Sequence, residues 1–377
     1  MRSRSFSSTL LAVCLCLATT ISAEAGVNAW TSIGPQLPPY WTIESLTIDP
    51  SNPDNLWILT SGGLPNMWRS RDGGVSWELL TVPTLASALA IHQVVVDAHD
   101  SHHVLARAAW MFWQSFDGGD TWTSHQIGTE DLFSFDGGFA IAVDSKRIYA
   151  GEQQSCPRTS ACSGGGLWKS TDGGTTWTLS LKNQTVGQIA VDPFNEDTVY
   201  AVVYQKSATK LGAGTLMRSR DGGRTWSALS PLACANPDSA CRATDSYLLV
   251  EKTSSSTLYF AGPDGLLVSH DQGDSWSLSA TGIGLPTPDP SESGFLYANL
   301  GEPPTTPPIL PGLPLPPPPD TQVYGVVRST DFGRNWKPLF SSSGGALLID
   351  SRRSFYRISS TGIFRYTLVV PRRHASK

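Results

Sequence analysis

The sequence of 377 residues has few sulfur-containing and few charged residues, with six Cys, four Met and 16% charged residues in all. No long apolar run follows residue 25, and this predicts that the rest of the chain contains no membrane-spanning helix. Basic residues are not in excess either, because 27 Lys and Arg stand against 32 Asp and Glu, so we expect no nucleic-acid partner. Glycine and tryptophan are abundant by contrast, with 35 and 13 residues, and the tryptophans follow a regular pattern.

Residues 1–25 have the features of a cleaved secretory signal peptide. Arg2 and Arg4 form a basic start, residues 10–18 are apolar, and residues 23–25 (Ala-Glu-Ala) are a small-residue cleavage site. We therefore predict a secreted or periplasmic protein. The alternative, a membrane anchor, needs a longer apolar run. Cleavage would remove two Arg and one Glu and change the formal net charge from −5 to −6.

Few cysteines remain after that cleavage, and they form two locally spaced pairs. An even number of cysteines in an exported chain favours disulfides that close short loops. A metal site is the alternative, but no His lies near either pair. Cys14 and Cys16 lie within the signal peptide, where lipidation is the alternative to simple cleavage. The predicted disulfide cysteines are Cys156, Cys162, Cys234 and Cys241.

Six copies of an eight-residue pattern, Ser-x-Asp-x-Gly-x-Ser/Thr/Asn-Trp, recur through the chain. Successive copies lie 45 to 60 residues apart, a period typical of one supersecondary unit repeated around an axis. Apolar strands flank each copy, so each is a hairpin turn in which the Asp accepts backbone N–H bonds and the Gly permits positive φ. The residues concerned are Asp72, Asp117, Asp172, Asp221, Asp271, Asp331, Trp77, Trp122, Trp177, Trp226, Trp276 and Trp336.

We interpret these boxes as structural. A catalytic or calcium-binding role is the alternative, but an active site is rarely built six times, and the distal Glu of an EF-hand loop is missing. The tryptophans recur at one position of the unit, so we assign them to packing rather than to sugar stacking.

Two further strands precede each box, for example residues 189–192 and 198–202, and they show the period-two alternation of half-buried strands. Each unit therefore has four strands, A to D, with the box at the C–D turn. Antiparallel four-stranded units at this spacing are propeller blades. The fold class is predicted to be all-β, a seven-bladed β-propeller over residues 26–370, followed by a tail at 371–377.

The seventh blade is predicted from both ends of the chain. Residues 346–350, 354–359 and 362–368 form strands A, B and C, and the segment around Trp30 resembles a D strand. We expect the N-terminal strand to complete the last blade and close the ring.

The long connections all fall on one face of the predicted disc. B–C and D–A connections share that face, which we name the loop face, and the A–B turns and boxes share the opposite one, the box face. The loop face would carry residues 61–65, 127–138, 156–165, 206–214, 232–244 and a proline-rich insertion at 303–319. Insertions on one side of a repeat scaffold favour a binding face, although mere tolerance of insertions remains the alternative.

The boxes resemble the Asp-box, or BNR, repeats of secreted propellers, over nearly the whole mature chain. The resemblance to the single seven-bladed photosystem II assembly and stability factors implies partner binding without catalysis. Sialidases, xyloglucanases and sortilin-type receptors are also similar. The N-terminal Phe/Tyr-Arg-Ile-Pro signature of sialidases is absent, and residues 355–359 resemble it but lack the Pro, so we interpret them as an ordinary B strand.

Two functions follow as hypotheses. The first is a non-enzymatic, exported and monomeric propeller, without cofactor or metal, that binds a protein or glycan through the loop face. The second is a glycoside hydrolase, which needs two facing carboxylates that the sequence does not pair. The candidate binding-face residues are Tyr40, Trp41, Glu130, Asp131, Glu152 and Asp245.

Overall fold

A computed structural model describes the chain from residue 29 to residue 367, with gaps. The residues outside the description are 1–28, 64–65, 81–90, 109–110, 128–140, 145, 153, 155–163, 207–210, 230–246, 252–256, 263–264, 281–282, 284–285, 300–324, 342–345, 360–361 and 368–377. The signal peptide, the cysteines, the proline-rich insertion and the tail fall there, so they stay predictions.

In the described part of the chain, 28 strands form seven antiparallel sheets of four strands, and no helix is present. The predicted seven-bladed all-β propeller is therefore confirmed. Strand order within every sheet is A-B-C-D, and the four strands of a sheet are consecutive along the chain, except in the last sheet, where the first strand of the chain supplies strand D. No described segment is a helix that could cross a membrane.

The strands of the first four blades are as follows. Blade 1 contains β2 (Thr42–Ile48), β3 (Leu56–Ser61), β4 (Met67–Ser70) and β5 (Glu78–Leu80), and blade 2 contains β6 (Gln93–Asp97), β7 (Asp100–Ala108), β8 (Met111–Ser115) and β9 (Thr123–Gln126). Blade 3 contains β10 (Ile141–Asp144), β11 (Arg147–Glu152), β12 (Gly166–Ser170) and β13 (Thr178–Ser180), and blade 4 contains β14 (Thr185–Asp192), β15 (Asn195–Lys206), β16 (Leu211–Ser219) and β17 (Ser227–Leu229).

The last three blades complete the ring. Blade 5 contains β18 (Tyr247–Val250), β19 (Leu258–Gly262), β20 (Gly265–Ser269) and β21 (Ser277–Ala280), and blade 6 contains β22 (Thr287–Pro288), β23 (Leu296–Asn299), β24 (Gly325–Ser329) and β25 (Lys337–Ser341). Blade 7 contains β26 (Ala346–Ile349), β27 (Ser354–Ser359), β28 (Gly362–Thr367) and, from the other end of the chain, β1 (Trp30–Ser32).

Ring closure follows the prediction. β1 pairs antiparallel with β28, with Trp30 opposite Tyr366 and Ser32 opposite Phe364. Ile33 extends this ladder by donating its backbone N–H to the carbonyl of Ile363, at 2.9 Å. The residues 355–359 lie in β27, as an ordinary B strand.

The apolar core consists of seven clusters, and each cluster joins two neighbouring blades. Strand B supplies the most buried members, such as Tyr200 and Phe355, which are fully buried. Every cluster receives one tryptophan, half-buried, from the turn or start of a D strand. In ring order from the boundary of blades 7 and 1, these are Trp77, Trp122, Trp177, Trp226, Trp276, Trp336 and Trp30.

The six boxes share one hydrogen-bond arrangement. In the first box, Ser70 donates its hydroxyl to the Asp72 carboxylate at 2.8 Å and accepts the Gly74 N–H at 2.8 Å. Ser76 donates its N–H to the same carboxylate at 2.8 Å. The equivalent bonds recur in the other five boxes.

Both the backbone conformation and the available space require glycine at the second glycine position of the box. Gly174 has φ of +90°, and a Cβ there would lie 2.6 Å from the Phe112 ring of the preceding blade. The backbone can therefore approach the neighbouring blade only because the side chain is absent.

The A–B turns carry a second set of buried acids. The Asp350 carboxylate accepts the N–H groups of Arg352 and Ser354 and the Tyr356 hydroxyl, at 2.9, 2.8 and 2.9 Å. Asp289 binds the Tyr297 hydroxyl at 3.3 Å, and burial together with the Asp289 charge raises the pKa of Tyr297 to about 12. These acids organise turns on the box face.

One predicted loop is shorter than expected. The segment 206–214 was expected to be a B–C loop, but β15 extends to Lys206 and β16 begins at Leu211, and these two residues pair. The hairpin ladder therefore continues into the predicted loop, with a register shift between Tyr204 and Lys206.

Candidate functional site

The loop face is built by the ends of the B strands, the starts of the C and A strands, and the D–A connections. Of the predicted binding-face residues, Tyr40, Trp41 and Glu152 are described, whereas Glu130, Asp131 and Asp245 lie outside the described residues. Tyr40 and Trp41 lie on the connection from β1 to β2, and Glu152 ends β11.

Tyr40 is the most exposed large apolar side chain of the described residues, at 96%. It follows two prolines, and Trp41 donates its N–H to the Pro38 carbonyl at 3.2 Å, which closes a tight turn. Tyr40 has φ of +71°, in the left-handed region that a non-glycine residue adopts at a cost. The turn thus combines a solvent-exposed aromatic side chain with a strained backbone conformation at the same residue.

Trp41 differs from the expectation of an exposed aromatic residue. It is half-buried, and its ring lies against Gly62 and Gly63 of the B–C connection in the same blade. A Cβ on Gly62 would lie 2.9 Å from the Trp41 ring, so the glycines make the flat surface on which the indole rests. Trp41 therefore supports the Tyr40 turn, and Tyr40 is the available contact group.

The buried side-chain amide of Asn66 attaches blade 2 to the B–C connection of blade 1. Asn66 donates its side-chain N–H to the carbonyl of Ile91 at 3.0 Å and accepts the Ile91 N–H at 3.1 Å. Both residues are buried. This pair fixes the D–A connection of blade 2 against the B–C connection of blade 1.

Glu152 lies in a buried polar cluster between blades 2 and 3. Its Oε2 accepts the Trp168 indole N–H at 2.7 Å, and its Oε1 is buried without a hydrogen-bond partner among the described residues. Burial raises the pKa of Glu152, while the Trp168 bond and the Arg107 charge act in the opposite direction.

Arg107 is the cation of this cluster, and the sequence analysis did not identify it. It is the last residue but one of β7, at 2% exposure, and burial lowers its pKa against the favourable charge of Glu152. A guanidinium stays protonated in proteins, so the Arg107 charge acts on the buried Glu152 carboxyl across the boundary of blades 2 and 3. The available signal was an Arg inside the apolar run 104–108, at a strand end.

The two ends of the predicted disulfide loop, at Gln154 and Gly165, are hydrogen-bonded to the start of blade 4 and the segment before it. Gln154 donates its N–H to the Thr185 hydroxyl at 3.1 Å, and Asn183 donates its N–H to the Gly165 carbonyl at 3.1 Å. Residues 155–163, including Cys156 and Cys162, lie outside the described residues.

The chemistry available on this face is limited. Among the described residues at this end of the strands, the acids are Glu44 and Glu152, and Glu44 is exposed at a β-bulge between Ile43 and Ser45. Glu44 was not among the predicted site residues. Within the described ranges, no group of three or more His, Cys, Asp or Glu could hold a metal ion.

Solved structures of similar fold include single propellers. YCF48 from Cyanidioschyzon merolae superposes with a TM-score of 0.57 at 14% identity, covering 90% of this chain and 99% of that one. YCF48 bound to D1 peptide gives 0.57 at 13% identity, covering 92% and 100%. An ancestral GH74 enzyme gives 0.55 at 14% identity, covering 91% and 46%. At such identities these likenesses show the fold alone.

A curated relative is similar in sequence. Xyloglucanase Xgh74A of Acetivibrio thermocellus is 26% identical over 216 residues, which are 50% of this chain and 20% of the enzyme. The chain therefore spans about a fifth of the length of that relative.

The family comparison covers more of the sequence. Residues 65–276, more than half of the chain, match Sortilin-Vps10, described as sortilin, neurotensin receptor 3. The expected resemblance to Asp-box propellers of sortilin and xyloglucanase type is confirmed. With its box-bearing blades described above, the chain belongs to the Sortilin-Vps10 family.

Proposed function

We propose that this protein is an exported, monomeric and non-enzymatic propeller that binds a partner through its loop face, and that the partner is a protein segment. The observation that carries the proposal is Tyr40. Its ring is 96% exposed, and its backbone has a φ of +71°. Strained backbone that persists at one exposed position is a reason to infer function there.

The physical properties of Tyr40 suit an anchor residue. An aromatic side chain with two rotatable bonds loses little entropy on binding, and tyrosine is enriched among residues that dominate binding energy. Trp41 on Gly62 and Gly63, together with the Asn66–Ile91 bridge, holds the turn in place before a partner arrives. Preorganisation of this kind lowers the cost of association.

The comparisons support a protein partner. The YCF48 structure with a D1 peptide matches this chain over 92% of its length, and the chain spans all of that propeller. The family description names a receptor, neurotensin receptor 3. Both concern proteins that are similar to this chain, and they favour a polypeptide over a glycan.

Glycoside hydrolysis is the second candidate, and one observation favours it. The curated relative is a xyloglucanase, and Glu152 has the raised pKa that a general acid needs. However, the Glu152 carboxylate is 8% exposed and already accepts the Trp168 indole N–H. A buried acid that is bonded to an indole N–H suits a structural role better.

A turnover screen separates the two candidates. The mature protein and Glu152→Gln would be incubated with xyloglucan, β-glucan and sialylated oligosaccharides, and reducing ends or released sialic acid would be measured. We expect no turnover by either protein. Turnover that Glu152→Gln abolishes would establish the hydrolase and contradict the non-enzymatic proposal.

Export is tested separately. We expect the protein in the periplasm or medium to begin near residue 26, as measured by N-terminal sequencing and intact mass, and to sediment as a monomer. A cytoplasmic protein retaining residues 1–25 would contradict this part of the proposal.

A further inference from the structure

The box face carries a repeated contact between neighbouring blades. The residue just before the Ser of a box extends to the following blade and donates to the carbonyl of the residue after its box Asp. Lys169 donates to Gly222 at 2.5 Å and Arg218 to Gln272 at 2.8 Å, and Arg69 makes the same bond to Gly118. Arg365, at the corresponding position of blade 7, donates to Gly73 at 2.9 Å.

At two boundaries an acid neutralises this cation. The acid stands three residues after the box Asp of the following blade. Asp120 pairs with Arg69 at 2.7 Å, and Asp274 pairs with Arg218 at 2.8 Å. The contact is therefore an ion pair between blades 1 and 2 and between blades 4 and 5.

Between blades 3 and 4 the same position holds a base. The residue three after Asp221 is Arg224, and it faces the Lys169 ammonium group of blade 3. Arg147 and Arg220 border the same space, a cavity of about 400 Å³. The position that forms an ion pair at the other two boundaries therefore brings cations together at this one.

The two acids of this cavity, Asp197 and Asp221, offset its four cations only in part. The Asp221 carboxylate accepts the Ser219 and Thr225 hydroxyls at 2.8 and 2.6 Å and backbone N–H groups of its own turn. Asp197 pairs with Arg147 at 2.7 Å. Lys169, Arg220 and Arg224 are left facing the cavity with no carboxylate of that cavity paired to them in the described residues.

The remaining contacts of these bases are weak or neutral. Arg220 approaches Asp274 only at 3.6 Å, and Asp274 is already held by Arg218. Burial, and then the charges of Arg147 and Arg224, lower the pKa of Lys169, and the opposing charges of Asp197 and Asp221 do not reverse this shift. Like charges gathered in a concave, partly buried site destabilise the empty protein and favour an anionic ligand.

We propose that this cavity between blades 3 and 4 binds an oxyanion of the phosphate or sulfate type, either free or as a group on a larger molecule. Guanidinium forks and an ammonium match the several oxygens of such an anion, and the Thr171 hydroxyl on the cavity wall adds a donor. The volume exceeds that of one water many times, since a water occupies about 30 Å³. The site lies opposite the loop face and does not rest on the proposed function.

The decisive variant is Arg224→Asp. It places an acid at the position that Asp120 occupies between blades 1 and 2 and that Asp274 occupies between blades 4 and 5. Binding of inorganic phosphate and of sulfate to the full mature protein would be measured by isothermal titration calorimetry at constant chloride and ionic strength. We expect saturable binding by the wild type and at least about tenfold weaker binding by Arg224→Asp, because a charge-assisted contact is lost. Without anion, the variant should unfold at a higher temperature than the wild type.

The matched control is Arg334→Asp, which makes the same charge change at the same box position of blade 6, where the facing residue is Val268. We expect it to bind phosphate as the wild type does. Arg220→Ser, at an exposed residue of the cavity, is a second variant if Arg224→Asp fails to fold, and it too should weaken binding.

Three results would overturn the proposal. They are no saturable phosphate or sulfate binding by the wild type, equal losses in Arg224→Asp and Arg334→Asp, or binding of a hexaglutamate peptide without binding of either inorganic ion. The last would point to an acidic protein partner instead. Preference for phosphate over sulfate, or the reverse, identifies the oxyanion that the cavity binds.

Discussion

At the scale of single residues, the box Asp is a hydrogen-bond acceptor that organises its own turn. Asp271 accepts the Ser275 hydroxyl and N–H at 2.6 and 2.8 Å and the Ser269 hydroxyl at 2.8 Å. These bonds lower its pKa from 3.8 to about 2. Bonds to the ionised form explain the shift, because the carboxylate is nearly free of burial.

The first prediction concerns Asp271→Ala. A folded pKa below the unfolded one contributes stability that is present above pH 3.8 and lost as pH falls through about 2. We expect the variant to lose roughly 1 kcal/mol of unfolding free energy at pH 7, the value of a surface hydrogen bond or two. Urea unfolding from pH 7 to pH 2 should show the difference shrinking below about pH 4. Asp271→Asn keeps an acceptor and serves as control, and a difference independent of pH would contradict the assignment.

The second prediction concerns Tyr40→Asn. Asparagine tolerates positive φ better than tyrosine, so the variant should be as stable as the wild type or more stable by less than about 1 kcal/mol. Partner binding should nevertheless be lost. Thermal unfolding and a binding assay would be compared with Phe116→Asn, which removes an aromatic that is 67% exposed on the box face. Marked destabilisation of Tyr40→Asn would show that the ring is structural.

At the scale of elements, the bonds between strands of neighbouring blades stabilise the ring. Arg69 is the best connected of the cations described above, with bonds to Glu78 of its own blade and to Gly118 and Asp120 of the next. It also lies over the Trp57 ring at 5.5 Å. Its guanidinium is 2% exposed, so water cannot replace these contacts.

The third prediction compares Arg69→Ala with Arg71→Ala. Both side chains bind Asp120, but Arg71 is 50% exposed. We expect a loss of about 2–3 kcal/mol for Arg69→Ala, because the variant removes a buried side chain with its charge-assisted bonds and its packing on Trp57, and less than about 1 kcal/mol for Arg71→Ala. Chemical denaturation measures both. Similar losses would show that the contact with the next blade is not important for stability.

Strands with period-two patterns were predictable, whereas their lengths and partners were less so. β22 is two residues, Thr287–Pro288, in a proline-containing segment that carries no alternation, and the analysis had not located it. β15 and β16 run further than expected because backbone pairing continues past the apolar residues. In β2, strand pairing leaves Glu44 at a bulge, which no local pattern indicates.

Side-chain environments in the candidate site depended on contacts between distant segments. Tyr40 and Trp41 look equivalent in sequence, but of the two side chains only that of Trp41 lies against the glycines about twenty residues later. Arg107 was not among the predicted site residues, and it is buried in blade 2, where its charge acts on Glu152 of the next blade. Contacts between neighbouring blades decide whether such a side chain is buried or exposed, and the repeat period alone does not specify these contacts.

At the scale of the whole molecule, the ring is a set of seven similar boundaries, one of which depends on the N-terminal strand. Trp30 packs in the cluster between blades 6 and 7, and Arg352 of blade 7 binds Asp54 of blade 1 at 2.7 and 2.8 Å. Closure thus joins residues about 300 positions apart and leaves blade 7 complete only when β1 is present.

The fourth prediction follows from this closure. A chain that begins at residue 35 lacks β1 and leaves β28 as an open edge, so we expect several kcal/mol less stability and a tendency to aggregate. A chain that begins at residue 26 is the control. Thermal unfolding and light scattering would be compared, and equal behaviour of both chains would contradict a structural role for β1.

The central claim, partner binding through the loop face, is tested most directly by site-specific photocrosslinking. A photoreactive phenylalanine derivative would replace Tyr40 on the loop face or, in parallel, Phe116 on the box face, and the exported protein would be irradiated in the cells that produce it. The account predicts a discrete crosslinked polypeptide from position 40 and none from position 116. Adducts from position 116 alone, or none from either position, would contradict it.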